Sequence, residues 1–210
     1  MFVVSNCFDW IGYHLTNKFL NEGIRVVGID RTDTEKKEHL SMFFDRNSLF
    51  KKIHSFSEIR KEYKKESVEA LFELDGDKTF KELDNQEVLQ HFILNTRNSK
   101  VEKSAIKIKY PLLYGEWMPR EEKGFYQGEE FIHFDSRTFQ EEAIDIDDFA
   151  GALRQLATLR KLPKTVEFKS INSQSRSDPN QDLLFVRQSK PMKSRLRELD
   201  DHYKRFRFFY

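Results

Sequence analysis

Three groups of residues in this sequence have types and spacings that could do chemistry. The first is Ser5-Asn6-Cys7-Phe8-Asp9-Trp10-Ile11-Gly12, which joins an apolar run to a stretch with helical spacing. A helix start of this kind offers free N–H groups and a positive dipole end to an anion such as a diphosphate. Close approach of that anion calls for small residues in the turn, and the turn here holds Asn6, Asp9 and Gly12. Asn6 is a tolerable substitute, because asparagine enters left-handed conformations more easily than most residues. Asp9 is not, because it sets a carboxylate where the diphosphate would lie. Two such charges about 4 Å apart repel by roughly 4 kcal/mol at an effective dielectric of about 20. The same carboxylate is expected to accept first-turn N–H groups as an N-cap, worth about 1 kcal/mol. Gly12 is expected to let the helix pack closely on the strand, and Trp10 to staple the turn to the sheet edge.

The second group is acidic. Asp30 ends an apolar run, where it could hold a ribose or cap the next element, and both readings stand. Asp147 and Asp148 could act as paired carboxylates in acid–base or metal chemistry, but adjacent side chains diverge, and helix capping is the reading adopted. The six histidines show no metal-ligand spacing, so no metal is expected. Cys7 has no histidine near it in the sequence and reads as a small packed thiol.

The third group is aromatic. Tyr114, Trp117, Phe125 and Tyr126 lie in a stretch punctuated by Pro111, Gly115, Pro119, Gly124 and Gly128. Such rings either pin a loop or build a binding surface, and we read them as a substrate or partner surface. The tail from Arg187 to Tyr210 is basic and ends in Tyr-Lys-Arg-Phe-Arg-Phe-Phe-Tyr. Cations interleaved with rings suit a nucleic acid, but an edge strand or docking segment explains the pattern without one and is preferred.

The elements that must position these residues follow from periodicity. Residues 2–5 and 25–30 read as buried parallel strands. Between them Ile11, Leu15, Phe19 and Leu20 recur at helical spacing, and Gly23 stops the helix. This makes a βαβ unit. The stretch 31–47 is polar, anchored by Met42, Phe43 and Phe44. Strands are expected at 49–53 and 68–74, with a charged helix at 57–65 capped by Ser57 and a turn at Asp75-Gly76-Asp77. Residues 85–97 predict a helix with Val88, Leu89, Phe92 and Ile93 on one face. Beyond these, strands are expected at 105–109, 129–134, 141–145, 165–168 and 183–187. The remaining expectations are helices at 147–160 and from Lys193, and a loop at 172–182.

Bulk properties narrow the classes further. Lys and Arg number 36 against 35 Asp and Glu, so the net field favours neither nucleic acid nor an anionic membrane. Charged residues make up 34% of the chain and the mean hydropathy is −0.71, values close to those of disordered chains. Twenty Phe residues in 210 supply the buriable area that such chains lack. A single cysteine fits a reducing compartment; no apolar run approaches the ~18 residues of a membrane span, and the start is not signal-like. The expected location is cytoplasmic.

Three segments, in order, resemble the extended short-chain dehydrogenases/reductases, which include sugar-nucleotide epimerases and dehydratases. They are the opening turn with Ile-Gly-Tyr-His-Leu, the stretch Lys109-Tyr110-Pro111-Leu112-Leu113-Tyr114-Gly115-Glu116, and Ala143-Ile144-Asp145-Ile146-Asp147-Asp148-Phe149-Ala150-Gly151-Ala152. The resemblance implies a Rossmann-like fold and an NAD(P) site at Asn6, Asp9 and Gly12. It also implies a ribose contact at Asp30 and substrate contacts around Tyr114 to Tyr126. The chain is shorter than the family, and the missing length falls between the fourth strand and the Tyr-Gly pair. There the family carries a Tyr-x-x-x-Lys that moves a proton as hydride transfers. No Tyr in this chain has a Lys four residues later.

The expected architecture is one α/β domain, residues 1–210. It has a Rossmann-like, mostly parallel sheet flanked by helices (1–113) and a small C-terminal portion (114–210) shaped like a shortened substrate domain. Asn6, Asp9, Gly12 and Asp30 read as vestigial cofactor contacts, and no catalytic residue, cofactor or metal is expected. The expected function is non-catalytic: binding, scaffolding or regulation, with a protein or small ligand at the carboxyl ends of the strands. The alternatives are an NAD(P)-dependent epimerase, dehydratase or reductase acting on a nucleotide-linked sugar, and a nucleic-acid-associated protein using the tail.

Overall fold

The computed structural model describes residues 1–63, 66–74, 88–94, 105–174 and 182–210. The chain begins with β1 (Phe2–Ser5), α1 (Trp10–Asn21), β2 (Val26–Ile29), α2 (Glu35–Met42), β3 (Phe50–Ile53) and α3 (Phe56–Glu62). Next come β4 (Val68–Leu74), β5 (Val88–Leu94), β6 (Ile106–Lys109), β7 (Leu113–Tyr114), β8 (Gly124–Gln127) and β9 (Glu130–His133). The C-terminal part holds α4 (Arg137–Glu142), β10 (Ile144–Asp145), α5 (Ile146–Leu156), β11 (Thr165–Ser170), β12 (Asp182–Val186) and α6 (Met192–Arg205).

Eight strands form one sheet in the order β12-β11-β6-β5-β4-β1-β2-β3, and every pair in it is parallel. This is the Rossmann-like α/β architecture expected from the βαβ opening. β1 and β2 are buried along their whole length, as strands covered on both faces must be. On one face α1 and α5 bury Leu15, Phe19, Phe149 and Leu153 against Val4, Phe72, Phe92 and Phe168. On the other, Phe56 and Ile59 of α3 pack on Val3, Val27 and Leu71. A third cluster joins Leu112, Tyr114, Phe125, Phe139 and Leu199, which ties the C-terminal part together around α6. No helix among the described residues is long and apolar enough to cross a membrane.

Helix α1 stops where Gly23 adopts φ +75. The Gly23 N–H reaches the Leu20 carbonyl at 2.9 Å and the Ile24 N–H that of Phe19 at 3.0 Å, the two bonds of a Schellman motif. Other expectations need correction. Residues 88–94 are strand β5, not helix, with Phe92 level with Phe72 of β4 and Ile106 of β6. A short apolar run fits either period, and a place between two parallel neighbours decides it for strand. Residues 85–87 and 95–97 of the expected helix, like the turn at 75–77, lie outside the described residues. The polar stretch 31–47 contains α2, whose start is held by Thr34 accepting the Lys37 N–H at 3.2 Å. Helix α3 starts before Ser57, with Ser55 at its N-cap position. Residues 141–145 split between α4 and the two-residue strand β10.

Candidate functional site

The turn after β1 is built as tightly as its residues suggested. Asn6 adopts φ +48, its N–H bonds the Ile29 carbonyl at 2.8 Å, and its side-chain amide bonds the Leu74 carbonyl at 3.2 Å. A Cβ on Gly12 would lie 2.1 Å from the Asn6 carbonyl oxygen and 2.9 Å from Cys7 Cα. The helix therefore rests directly on the turn backbone. Asp9 takes the N-cap position of α1, and its carbonyl accepts the Tyr13 N–H at 2.7 Å. Its carboxylate makes no capping bond, contrary to expectation. It lies instead 3.1 Å from Lys37 Nζ, because α2 brings an ammonium close and a full charge outcompetes first-turn amides.

Lys37 also bonds Asp30 Oδ1 at 2.9 Å. Asp30 Oδ1 accepts the Arg31 N–H at 2.7 Å, and Oδ2 accepts the Phe8 N–H at 2.8 Å. The Asp30 side chain is only 3% exposed. Burial works to lower the Lys37 pKa, but the bond to Asp30 and the charges of Asp9 and Asp30 outweigh it and hold the ammonium above its ordinary value. Lys36, whose Nζ donates to the Trp117 carbonyl at 2.7 Å, is lowered by burial. Beneath the turn Cys7 is fully buried, and burial followed by the charge of Asp30 pushes its thiol well up. Beside this bridge a cavity of about 430 Å³ opens at the carboxyl ends of the central strands, lined among others by Phe8, Asp9, Trp10, Lys36, Lys37 and Tyr110.

A second polar cluster was not read from the sequence. His14 Nδ1 lies 3.1 Å from Asp147 Oδ1, and Nε2 lies 3.0 Å from the Glu116 carbonyl oxygen. The hydrogen bond from His14 holds the Asp147 carboxyl below its usual range against the opposing effect of burial. Arg195 of α6 reaches Asp145 at 3.3 Å and Asp147 at 3.6 Å. Asp145 is the residue that caps α5, accepting the Asp147 N–H at 3.0 Å. The capping expected of Asp147 and Asp148 thus moves back to Asp145, while Asp148 accepts the Ser189 N–H at 3.0 Å. Burial pushes the Asp145 carboxyl up to about 6 despite Arg195. The buried Tyr114 hydroxyl, pushed up by burial, has no hydrogen-bond partner among the described residues. His14, Tyr114, Glu116, Asp145, Asp147 and Arg195 line a cleft of about 130 Å³. The Tyr-Gly and Asp-Asp segments were visible in the sequence. Their meeting at His14 is a tertiary event between residues 133 apart.

The aromatic surface also needs correction. Tyr114, Trp117 and Phe125 are buried, while Tyr126 is 61% exposed. Trp117, at φ +64, is enclosed by rings of Tyr13, His39, His202, Phe206 and Tyr210. Its backbone N–H donates to the Tyr210 hydroxyl at 2.9 Å, which lies 2.6 Å from His202 Nδ1. The tail is therefore docked on the loop, with Phe208 left exposed. Burial and then surrounding positive charges lower His202 to about 4. Among the described residues no group of three or more His, Cys, Asp or Glu could hold a metal ion.

No protein-family model and no curated protein matches the sequence. Solved structures match by fold. The dTDP-glucose 4,6-dehydratase of Bacillus anthracis, in complex with NAD, superposes with a TM-score of 0.61 at 8% identity, covering 100% of this chain and 98% of that one. A yeast methylglyoxal/isovaleraldehyde reductase complexed with NADPH gives 0.54 at 13% identity, covering 100% and 99%. The UDP-glucose 4-epimerase of Thermotoga maritima, with UDP-glucose, gives 0.50 at 14% identity, covering 97% and 98%. The chain has a Rossmann-like fold of the short-chain dehydrogenase/reductase type, shared with these dehydratase, reductase and epimerase structures. The likeness is one of fold.

Proposed function

We propose that this is a non-catalytic binding protein on a short-chain dehydrogenase/reductase scaffold, taking a small ligand or protein partner at the carboxyl ends of its strands. The observation that carries the reading is the bridge Asp9–Lys37–Asp30. A dinucleotide would need its diphosphate against the first turn of α1 and its adenosine ribose on the acid that ends β2. Asp9 stands at the N-cap of that first turn and brings a carboxylate held by Lys37 to its edge. The second acid already receives two backbone N–H groups and Lys37. In the usual geometry these residues do not fit the cofactor. The absence of any Tyr with a Lys four residues later supports a protein without the usual proton shuttle.

Calorimetric titration with NAD(H) and NADP(H) is expected to show no saturable heat, while Asp9→Gly gains measurable affinity. Tight, saturable binding by the unaltered protein would overturn the reading. The cavity of about 430 Å³ beside the turn favours one second reading, an NAD(P)-dependent epimerase, dehydratase or reductase acting on a nucleotide-linked sugar. Turnover on a panel of sugar nucleotides, abolished by Asp30→Ala, would establish that one instead.

A further inference from the structure

The eight-stranded sheet ends in two edges of different chemistry. β3 carries Lys51 and Lys52 at its centre, and lysines on an edge discourage pairing with another chain. β12 reads Asp-Leu-Leu-Phe-Val, with no lysine, proline or internal charge. Leu183 is 36% exposed and Phe185 is 54% exposed. Among the described residues no strand lies on the outer side of this one. The Val186 carbonyl accepts the Ile171 N–H at 3.1 Å, and β12 runs parallel to β11 with Val186 level with Ser170. In a parallel ladder alternate residues turn their N–H and C=O to the same neighbour. Leu184 and Asp182 therefore also face β11, while Leu183 and Phe185 present theirs to the outside.

We propose that β12 pairs antiparallel with β12 of a second copy of this chain, continuing the sheet across a two-fold axis at Leu184. Leu183 then stands opposite Phe185 of the second copy, and Phe185 opposite its Leu183. These are the residues whose N–H and C=O point outward, so each makes a hydrogen-bonded pair, while Leu184 meets its own copy in a non-hydrogen-bonded one. The same register lays the exposed leucine and phenylalanine side chains together on one face. Charge agrees with this direction. Asp182 stands at one end of the strand and Arg187 just beyond the other, so antiparallel pairing turns the acidic end of one copy toward the basic end of its mate. The contact uses one patch on both copies and closes on itself. One short strand from each copy is modest beside the roughly 1,200–2,000 Å² of a standard interface, so the dimer forms with rising concentration.

Sedimentation velocity across a micromolar dilution series is expected to show the mass rising from the 25.2 kDa of the chain towards twice that value. Leu183→Pro removes an outward N–H and no bond to β11, and Phe185→Lys sets a charge into the apolar pair. Both variants are expected to stay monomeric, with circular dichroism reporting that they are folded. In the unaltered protein, hydrogen exchange at the Leu183 and Phe185 amides is expected to slow as concentration rises, a readout that needs no variant. Monomer throughout the range overturns the proposal and leaves the edge to a strand from another protein. A dimer that both folded variants retain, or one that leaves those two amides unprotected, overturns it as well.

Discussion

Asp145 and Gly12 show how much a single position carries in this molecule. The Asp145 carboxyl ordinarily titrates near 3.8 and is raised by burial to about 6. A raised carboxyl favours the folded state when protonated, so its contribution grows as pH falls through 6 towards 4 and is lost again as pH rises. Asn at this position keeps an acceptor for the Asp147 N–H and carries no charge. Asp145→Asn should therefore stabilise the protein above pH 6, by up to about 3 kcal/mol from linkage, and lose that advantage near pH 4. Thermal melts of both proteins across this range check it; a difference in Tm that does not change with pH would refute it. Gly12→Ala tests the turn. Alanine is the better helix former by about 1 kcal/mol, but its Cβ would meet the Asn6 carbonyl. A net loss of about 1–3 kcal/mol is expected from overpacking, read from urea denaturation. The close fit at Gly12 and the left-handed Asn6 were legible in the sequence, because residue type constrains backbone directly. Lys37 was not. It sits in a polar stretch with no period, and only the fold brings it between Asp9 and Asp30.

Among the elements, those with strong local signals were legible: β1, β2, β4 and α1 with its Gly23 stop. β5 was misread because four apolar residues satisfy a helical period as well as a strand's, and its parallel neighbours are distant in sequence. Helix α6 and the turn after it form the element on which the aromatic loop depends. Its docking makes a specific prediction. Tyr210→Phe leaves the Trp117 N–H without its acceptor, and an unsatisfied buried N–H costs about 1–3 kcal/mol. The urea midpoint should fall accordingly, and an unchanged midpoint would show that the hydroxyl is not holding the tail. His202 acts in the same place with opposite sign to Asp145. Lowered from 6.5 to about 4, it withdraws stability as pH falls through that interval, because the unfolded chain takes up the proton first.

For the whole molecule, the parallel sheet places Asn6, Asp9, Gly12 and Asp30 together at the carboxyl ends of its strands, as an open α/β fold does with its ligand site. That convergence followed from the βαβ order. The His14–Asp147 contact and the shell around Trp117 did not, because each joins segments whose distance in sequence carries no periodic trace. The Trp117 shell also has a consequence for synthesis. A chain emerging from the ribosome releases β1, α1 and β2 early, and such a unit can begin to pack as it appears. Trp117 emerges later, and the tyrosine that accepts its N–H is 93 residues further on. Until those residues arrive, the indole has Tyr13 and His39 beside it but lacks His202, Phe206 and Tyr210. The nascent protein thus passes through a half-built stage with its largest buried ring only partly covered, a period in which chaperones and proteases reach it more easily.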